Sequence, residues 1–474
     1  MERFTKIGRI ATKSALETKK SPFGIGFEKL DRAVFDPEKA YDKISEVGAK
    51  WVRLQSGWAR TEKEEGVYDF AWLDDIVNNL LRRGMTPWLC LCYGNALYDD
   101  FAKDIFGAVG CLPVYDERQK KAWKNYVAAT VSHFKDRIEY YEVWNEPDGI
   151  WCSKRGVDGT KFGEFTAATA DAVKSVYPEA KVVGGVVCNR SLGFICEALV
   201  AGMGGKIDAI SYHEYTPDER KVYERVEALR SLGRIYNPKM EIIQGESGSQ
   251  SRSDGAGALR GGSWTEKKQA KQCLRHALAD VKSRVLFTSY FSCMDMIEAL
   301  NGTVGNVASY LDYGYFGLLS AEFDENGFST GEYTPKMSYR AYQTLCAMIC
   351  DDFEVTELPI LITPAESKRN IGPDFRRTDM DTVGIRKPNG SSAYFYWYTS
   401  DIMTTEVEGT TTLEVFDPEH SVKLVDVMDG SVLAIPENMI EGLPGGCRRI
   451  KSLPVRDYPM ALIFGDFVGI ESVK

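Results

Sequence analysis

Between Phe23 and Asp295 the apolar residues gather in short unbroken runs, separated by stretches in which apolar and polar positions alternate with a helical period. The runs are Phe23–Phe27, Ala49–Gln55, Thr86–Tyr93, Ile138–Asn145, Lys181–Val187, Ala209–Tyr215, Met240–Gly245 and Arg284–Phe291. A short run that is apolar at successive positions reads as a strand covered on both faces, the condition met in parallel sheets flanked by helices. The segments between them, such as Pro37–Val47, Trp72–Arg83, Gln119–Lys135 and Lys161–Val176, are amphipathic. Gly48, Gly84 and Gly233 fall just past helical stretches, where a left-handed cap is favoured. Eight such alternations predict an α/β fold, a parallel (β/α)₈ TIM barrel over residues 22–350. Its last helix is expected at Lys336–Ile349, where Tyr339, Tyr342, Leu345 and Met348 share a face.

After that helix the period changes. Pro388-Asn389-Gly390 and Asp429-Gly430 read as hairpin turns, flanked by Ala393–Thr399, Thr411–Phe416, Lys423–Val427 and Ser431–Ile435. With Ala461–Phe464 they predict an antiparallel β-sandwich over 351–474, joined by the N-terminal segment 1–21 through a strand within Lys6–Ala15.

A length of 474 residues suits a large barrel with a smaller module. The net charge of −10 and the lack of a basic cluster argue against nucleic acid or an anionic membrane as partner. No run approaches the ~18 apolar residues of a membrane span. Met1–Lys20 is polar and charged, without the apolar centre of an export signal, so a cytoplasmic location is expected. The 11 cysteines are odd in number and scattered through apolar elements. Cys90 and Cys92 alternate along a strand and Cys346 and Cys350 sit one helical turn apart, but the four histidines (His133, His213, His276, His420) lie far from both pairs. Reduced buried thiols are the expectation, with no metal and no cofactor. A homo-oligomer is left open.

Two of the predicted strands end on a glutamate. The aromatic run through Tyr140, Tyr141, Val143 and Trp144 stops at Asn145-Glu146-Pro147, and proline, having no amide hydrogen, ends a strand. Met240-Glu241-Ile242-Ile243-Gln244-Gly245-Glu246 repeats the ending without the proline. Counted along the barrel these are strands four and seven, and barrel sites are built at strand C-termini. Glycosidic cleavage needs a proton donor on the leaving oxygen and a second carboxylate at the anomeric carbon, about 5–5.5 Å apart when the second attacks directly. Either glutamate alone also reads as a turn or surface acid. Together, at the fourth and seventh positions of eight, they point to one site.

Trp144-Asn145-Glu146-Pro147 with Glu246 resembles glycoside hydrolase clan A, whose acid/base follows asparagine on strand four and whose nucleophile ends strand seven. The resemblance implies that Glu146 is the general acid/base, Glu246 the nucleophile and Asn145 a donor to the sugar 2-hydroxyl. Arg53, a charge inside the second apolar run, requires a carboxylate partner. The clan places such an arginine beside the nucleophile, which implies Glu246. His213 and Tyr215 end the sixth run, where clan members orient the nucleophile or touch substrate. Tyr93, Trp58, Trp151, Trp264 and Tyr290 lie at or just beyond strand ends and are candidates to stack on or bond to sugar. The long segments Asn95–Pro113 and Ser247–Thr265 are expected at the pocket rim, the second as a candidate lid.

Barrel plus sandwich, with Gly57-Trp58 and Lys336, is most similar to family 39, the β-xylosidase and α-L-iduronidase group; family 5, family 30 and an unclassified clan member stay open. The implied function is a retaining, exo-acting glycoside hydrolase working on short oligosaccharides or glycosides. The alternatives are a non-catalytic carbohydrate-binding barrel, and a transglycosylase using the same residues.

Overall fold

A computed structural model describes residues 4–298, 312–363, 366–371 and 379–472. Strand β1, Thr5–Ile10, precedes eight parallel strands that close on themselves: β2 Phe23–Gly26, β3 Trp51–Gln55, β4 Thr86–Leu91, β5 Tyr140–Val143, β6 Lys181–Val187, β7 Ala209–His213, β8 Glu241–Ser247 and β9 Thr288–Tyr290. Closure is visible at Gly24, which pairs with Trp51 on one side and Ser289 on the other. The sequence runs agree with these strands to within a few residues at their ends and name all eight.

Helices between the strands supply the outer cover. Ala71–Arg82 buries Leu73, Ile76, Val77 and Leu80, the three-and-four spacing of one face. Glu117–Phe134, Gly159–Val176 and Glu266–Lys282 start at Asp116, Asp158 and Thr265, whose side chains accept backbone N–H bonds from the first turn. Inside the barrel, Trp88, Val183, Ala209, Ile243 and Phe287 form a plug near the strand N-termini, with Trp51 stacked on Phe287 at 4.1 Å. That end is therefore solid. The C-terminal end is left for a cavity.

The C-terminal region forms two sheets, one of eight strands and one of five. Their facing side chains, among them Tyr396, Leu413, Leu453, Leu462 and Phe464, make a second core. Strand β1 lies in the larger sheet, antiparallel to Ser431–Ala434 and to Ile470–Ser472. A buried ion pair joins the sandwich to the barrel, Lys271 meeting Asp457 at 2.6 Å; within the barrel Arg275 meets Glu219 at 2.6 Å, and Trp397 of the sandwich donates to the same carboxylate. Between β9 and the last helix, Met337–Met348, an antiparallel hairpin of Leu319–Phe323 and Ser329–Pro335 was not anticipated from the sequence.

Candidate active site

The chain leaves β5 through two residues of left-handed backbone, Trp144 at φ 67° and Glu146 at φ 47°. Non-glycine residues hold such angles only where their surroundings fix them. Trp144 is fully buried, donates from its indole to Val109 O at 2.8 Å and packs edge-on against Trp123, Phe165 and Tyr93. Glu146 N bonds to Val186 O. The anchored tryptophan thus turns the next carboxylate into the barrel mouth. Glu246 sits near the end of β8, at register irregularities with both β7 and β9, and such irregularities re-aim a side chain.

His213, the last residue of β7, stands between the two glutamates. Its Nδ1 lies 2.8 Å from Glu146 Oε1 and 3.1 Å from Glu246 Oε2. One oxygen of each carboxylate and a His213 nitrogen all fall within 4.8 Å of one another. The Tyr215 hydroxyl donates to Glu246 Oε1 at 2.8 Å. Arg53 Nη1 is 3.2 Å from Glu246 Oε2, but the arginine's shortest contacts lie elsewhere. Its Nη2 reaches Glu142 Oε2 at 2.6 Å and Asn145 Oδ1 at 2.7 Å, so Glu142 rather than Glu246 is its main partner. Holding the Asn145 oxygen leaves that amide's N–H groups to face the cavity. Gly245 is required here: a side chain would meet Ser211 Oγ at 2.4 Å, with His213 Nε2 and Glu142 Oε1 close behind.

The two carboxyl groups are driven apart electrostatically. Burial raises Glu146, and the charge of Glu246 adds to this while His213 opposes it. Burial would also raise Glu246, but His213, then Arg53 and the Tyr215 hydroxyl, hold it down to about 2. Burial works against a charged His213, yet the two carboxylates lift it to about 9. The arrangement thus biases Glu146 towards its protonated form and Glu246 towards its ionised form, with a positively charged imidazole favoured between them.

The cavity above is about 440 Å³. Of the residues singled out from sequence, Tyr93, Asn145, Glu146, Trp151, Tyr215 and Glu246 line it, while Arg53 and His213 support it from below. Tyr290 and Trp264 do not line it. Tyr290 points outward from β9, its ring 5.9 Å from Tyr342 of the last helix. Trp264 is buried and donates to Leu259 O, pinning the loop that brings Gly257–Arg260 to the rim. Trp58 lies in the core, stacked on Tyr98 and Tyr126.

The opposite wall was not anticipated. Lys29 Nζ bonds Ile297 O at 2.9 Å and Glu298 Oε1 at 3.2 Å; Arg32 bonds Gln55 Oε1 at 2.8 Å, and Gln55 in turn bonds the Tyr93 hydroxyl. The available signal was the cluster Glu28-Lys29-Leu30-Asp31-Arg32 directly after an apolar strand.

Set beside known proteins, residues 40–231 match the sequence pattern of Glycosyl hydrolases family 39. Over that stretch, less than half of its length, the chain is similar to family 39. A curated relative, the Beta-xylosidase of Geobacillus stearothermophilus, is 29% identical over 160 residues, 31% of this chain and 31% of that enzyme's length. Among solved structures, a family 39 glycoside hydrolase from the gut symbiont Bacteroides cellulosilyticus WH2 superposes with a TM-score of 0.62 at 17% identity, covering 94% of this chain and 81% of the other. A monomeric beta-xylosidase from Caulobacter crescentus CB15 gives a TM-score of 0.56 at 18% identity, covering 98% of each. These superpositions establish a shared barrel-and-sandwich fold.

One buried acid beside this site has a consequence for stability. Glu28, 1% exposed, lies 3.5 Å from Arg53 Nη1, the same nitrogen that faces Glu246. Burial pushes its carboxyl up to about 8 against the pull of Arg53. A pKa raised on folding contributes stability that is full below the ordinary glutamate value and lost as pH rises to the folded value. The His213 contribution is lost in the same direction, as pH climbs towards 9. The melting temperature is therefore expected to fall from pH 5 to pH 9. Glu28→Gln, which keeps the shape and cannot ionise, should reduce that fall by about 2–5 °C. Thermal denaturation across the pH range checks this; parallel curves for the two proteins would refute the shift.

Proposed function

We propose that this protein is a retaining, exo-acting glycoside hydrolase with a β-xylosidase-like preference, and that Glu146 and Glu246 carry its chemistry. The observation behind the reading is the pair of carboxyl groups at the floor of one cavity, oppositely biased in protonation and with an oxygen of each within 4.8 Å of the other. So short an oxygen-to-oxygen distance suits the ~5–5.5 Å carboxyl spacing of direct attack better than the ~6.5–9.5 Å of inverting enzymes. In the first step Glu246 attacks the anomeric carbon while Glu146 passes its proton to the leaving oxygen. The aglycone departs as an alcohol and the sugar is held as an ester of Glu246. Esterification removes the Glu246 charge that helped keep Glu146 protonated, so Glu146 is now stable as a carboxylate. It takes a proton from water, whose oxygen attacks the anomeric carbon from the face the aglycone left, and Glu246 is released. Two inversions give net retention. Asn145 holds the 2-hydroxyl, Arg53 and Tyr215 keep the nucleophile ionised, and His213 couples the two carboxyls.

Exo action is supported by a cavity suited to one sugar ring and a small leaving group. The xylosidase preference is drawn from the matched curated relative and the superposed structure, both of which carry that name. No described helix is long and apolar enough to cross a membrane. Eleven free cysteines, eight of them buried at Cys90, Cys92, Cys111, Cys152, Cys273, Cys293, Cys346 and Cys350, suit a reducing compartment, and we assign the reaction to the cytoplasm. Proton NMR of the first-formed sugar from an aryl β-xyloside is expected to show the β anomer before mutarotation. The α anomer appearing first would exclude retention.

A further inference from the structure

The cavity wall is chemically divided. The loops after β9 and β2 bring Glu298, Lys29 and Arg32, and the end of β3 brings Gln55, a continuous set of charged and amide groups. Loops after β4, β5 and β6 bring Val109, Ile150, Trp151 and Cys188. Besides Tyr93, Asn145 and Glu146, which the same loops bring to the cavity, the described residues of this second wall offer two side-chain donors, both engaged: the Trp151 indole N–H with Glu146 O at 3.1 Å, and the Cys188 thiol with Asp148 Oδ1 at 3.3 Å. Asp148 is itself occupied with the backbone N–H groups of Cys188 and Asn189. Ile150, by contrast, is 78% exposed at the mouth of the cavity, an aliphatic side chain turned to solvent. Across the rim, Leu259 and Phe316 add further apolar surface.

The apolar wall is also the wall that carries Glu146, since Ile150 and Trp151 follow it on the same loop. A general acid must lie within hydrogen-bond reach of the oxygen it protonates. The leaving group therefore rests against this wall, and the sugar ring faces the charged one. A second sugar placed as leaving group would meet no unengaged donor or acceptor among Val109, Ile150, Trp151 and Cys188, and its hydroxyls would be stripped of water without replacement. We propose that the natural leaving group is an apolar aglycone, alkyl or aryl, and not a second sugar. This rests on the reading of Glu146 as the acid and narrows the substrate class of the same site.

A series of alkyl β-xylosides tests the proposal, because simple alcohols leave with similar ease while differing in apolar area. From methyl to hexyl, kcat/KM should rise at least tenfold, mainly through KM, since a fully buried methylene is worth roughly fourfold in binding. Hexyl xyloside should exceed xylobiose. Ile150→Asn, a change at an exposed position, should hold the rise to within threefold. A flat series in the unmodified protein, or xylobiose cleaved tenfold better than hexyl xyloside, would overturn the proposal. Calorimetry with the non-hydrolysable methyl and hexyl 1-thio-β-xylosides reads the same preference without turnover. A hexyl preference there with no hydrolysis of any glycoside would defeat the hydrolase reading and leave the apolar leaving-group wall standing; equal affinities would defeat the wall alone.

Discussion

Glu246→Ala is expected to lower kcat on a nitrophenyl β-xyloside by about 10⁵-fold or more, the scale reached when a nucleophile that forms a covalent intermediate is removed. The loss falls on every substrate alike, because no leaving group, however good, replaces the missing bond to the anomeric carbon. Protein fold should survive: Arg53 keeps Glu142 and Asn145 as its shortest partners. Without Glu246, His213 loses the larger of the two carboxylates that hold it charged, and its pKa should drop from about 9. Azide fits the space vacated and attacks from the same side, while Glu146 still protonates the leaving oxygen. The product expected is an α-xylosyl azide, formed by a single inversion. A loss smaller than about 100-fold, or a β-configured azide from this variant, would remove Glu246 from the nucleophile's role.

The barrel was readable because its strands are covered on both faces, so each appears as an apolar run with helical stretches on either side. The sandwich was readable only in part. Ser392–Tyr398 and Met460–Phe464 are buried throughout and stand out. Cys447–Arg456 hides behind the charges of Arg448, Arg449 and Lys451 and a proline at 454 that argues against a strand, yet it pairs along nearly its whole length with Glu406–Phe416. The glutamates could be found because strand ends are local features. Their supports could not, because Glu28 and Glu142 are recognisable only once Arg53 is seen between them. Tyr290 shows the same limit from another side: an apolar run carries no mark of which residues face inward, and this one faces the last helix. Lys29 and Arg32 resemble an ordinary solvated turn until the loop is seen folded over the cavity, with Lys29 only 7% exposed.

Glu146→Ala separates the two halves of the reaction. The first step needs a proton only as far as the leaving group is basic, so a dinitrophenyl β-xyloside should keep kcat/KM within about tenfold, whereas alkyl xylosides should lose about 10²–10⁴-fold, the usual range for a general acid. The second step loses its base whatever the substrate, so the xylosyl-Glu246 ester should accumulate and both kcat and KM for the dinitrophenyl substrate should fall together. Azide needs no base, and it reaches the anomeric carbon of the ester through the space left by the carboxyl. It should raise kcat and yield a β-xylosyl azide, the configuration of the substrate, opposite to that expected from Glu246→Ala. The pH profile gives an independent check. Burial and the Glu246 charge raise the Glu146 pKa, and the residue works protonated in the first step, so activity of the unmodified protein should decline as pH rises through that value. In Glu146→Ala that alkaline decline should vanish for the dinitrophenyl substrate, since no group is left to lose the working proton. An equal loss across good and poor leaving groups, or an alkaline limb unchanged by the substitution, would assign the proton to another residue, and His213, 2.8 Å away, would be the first to test.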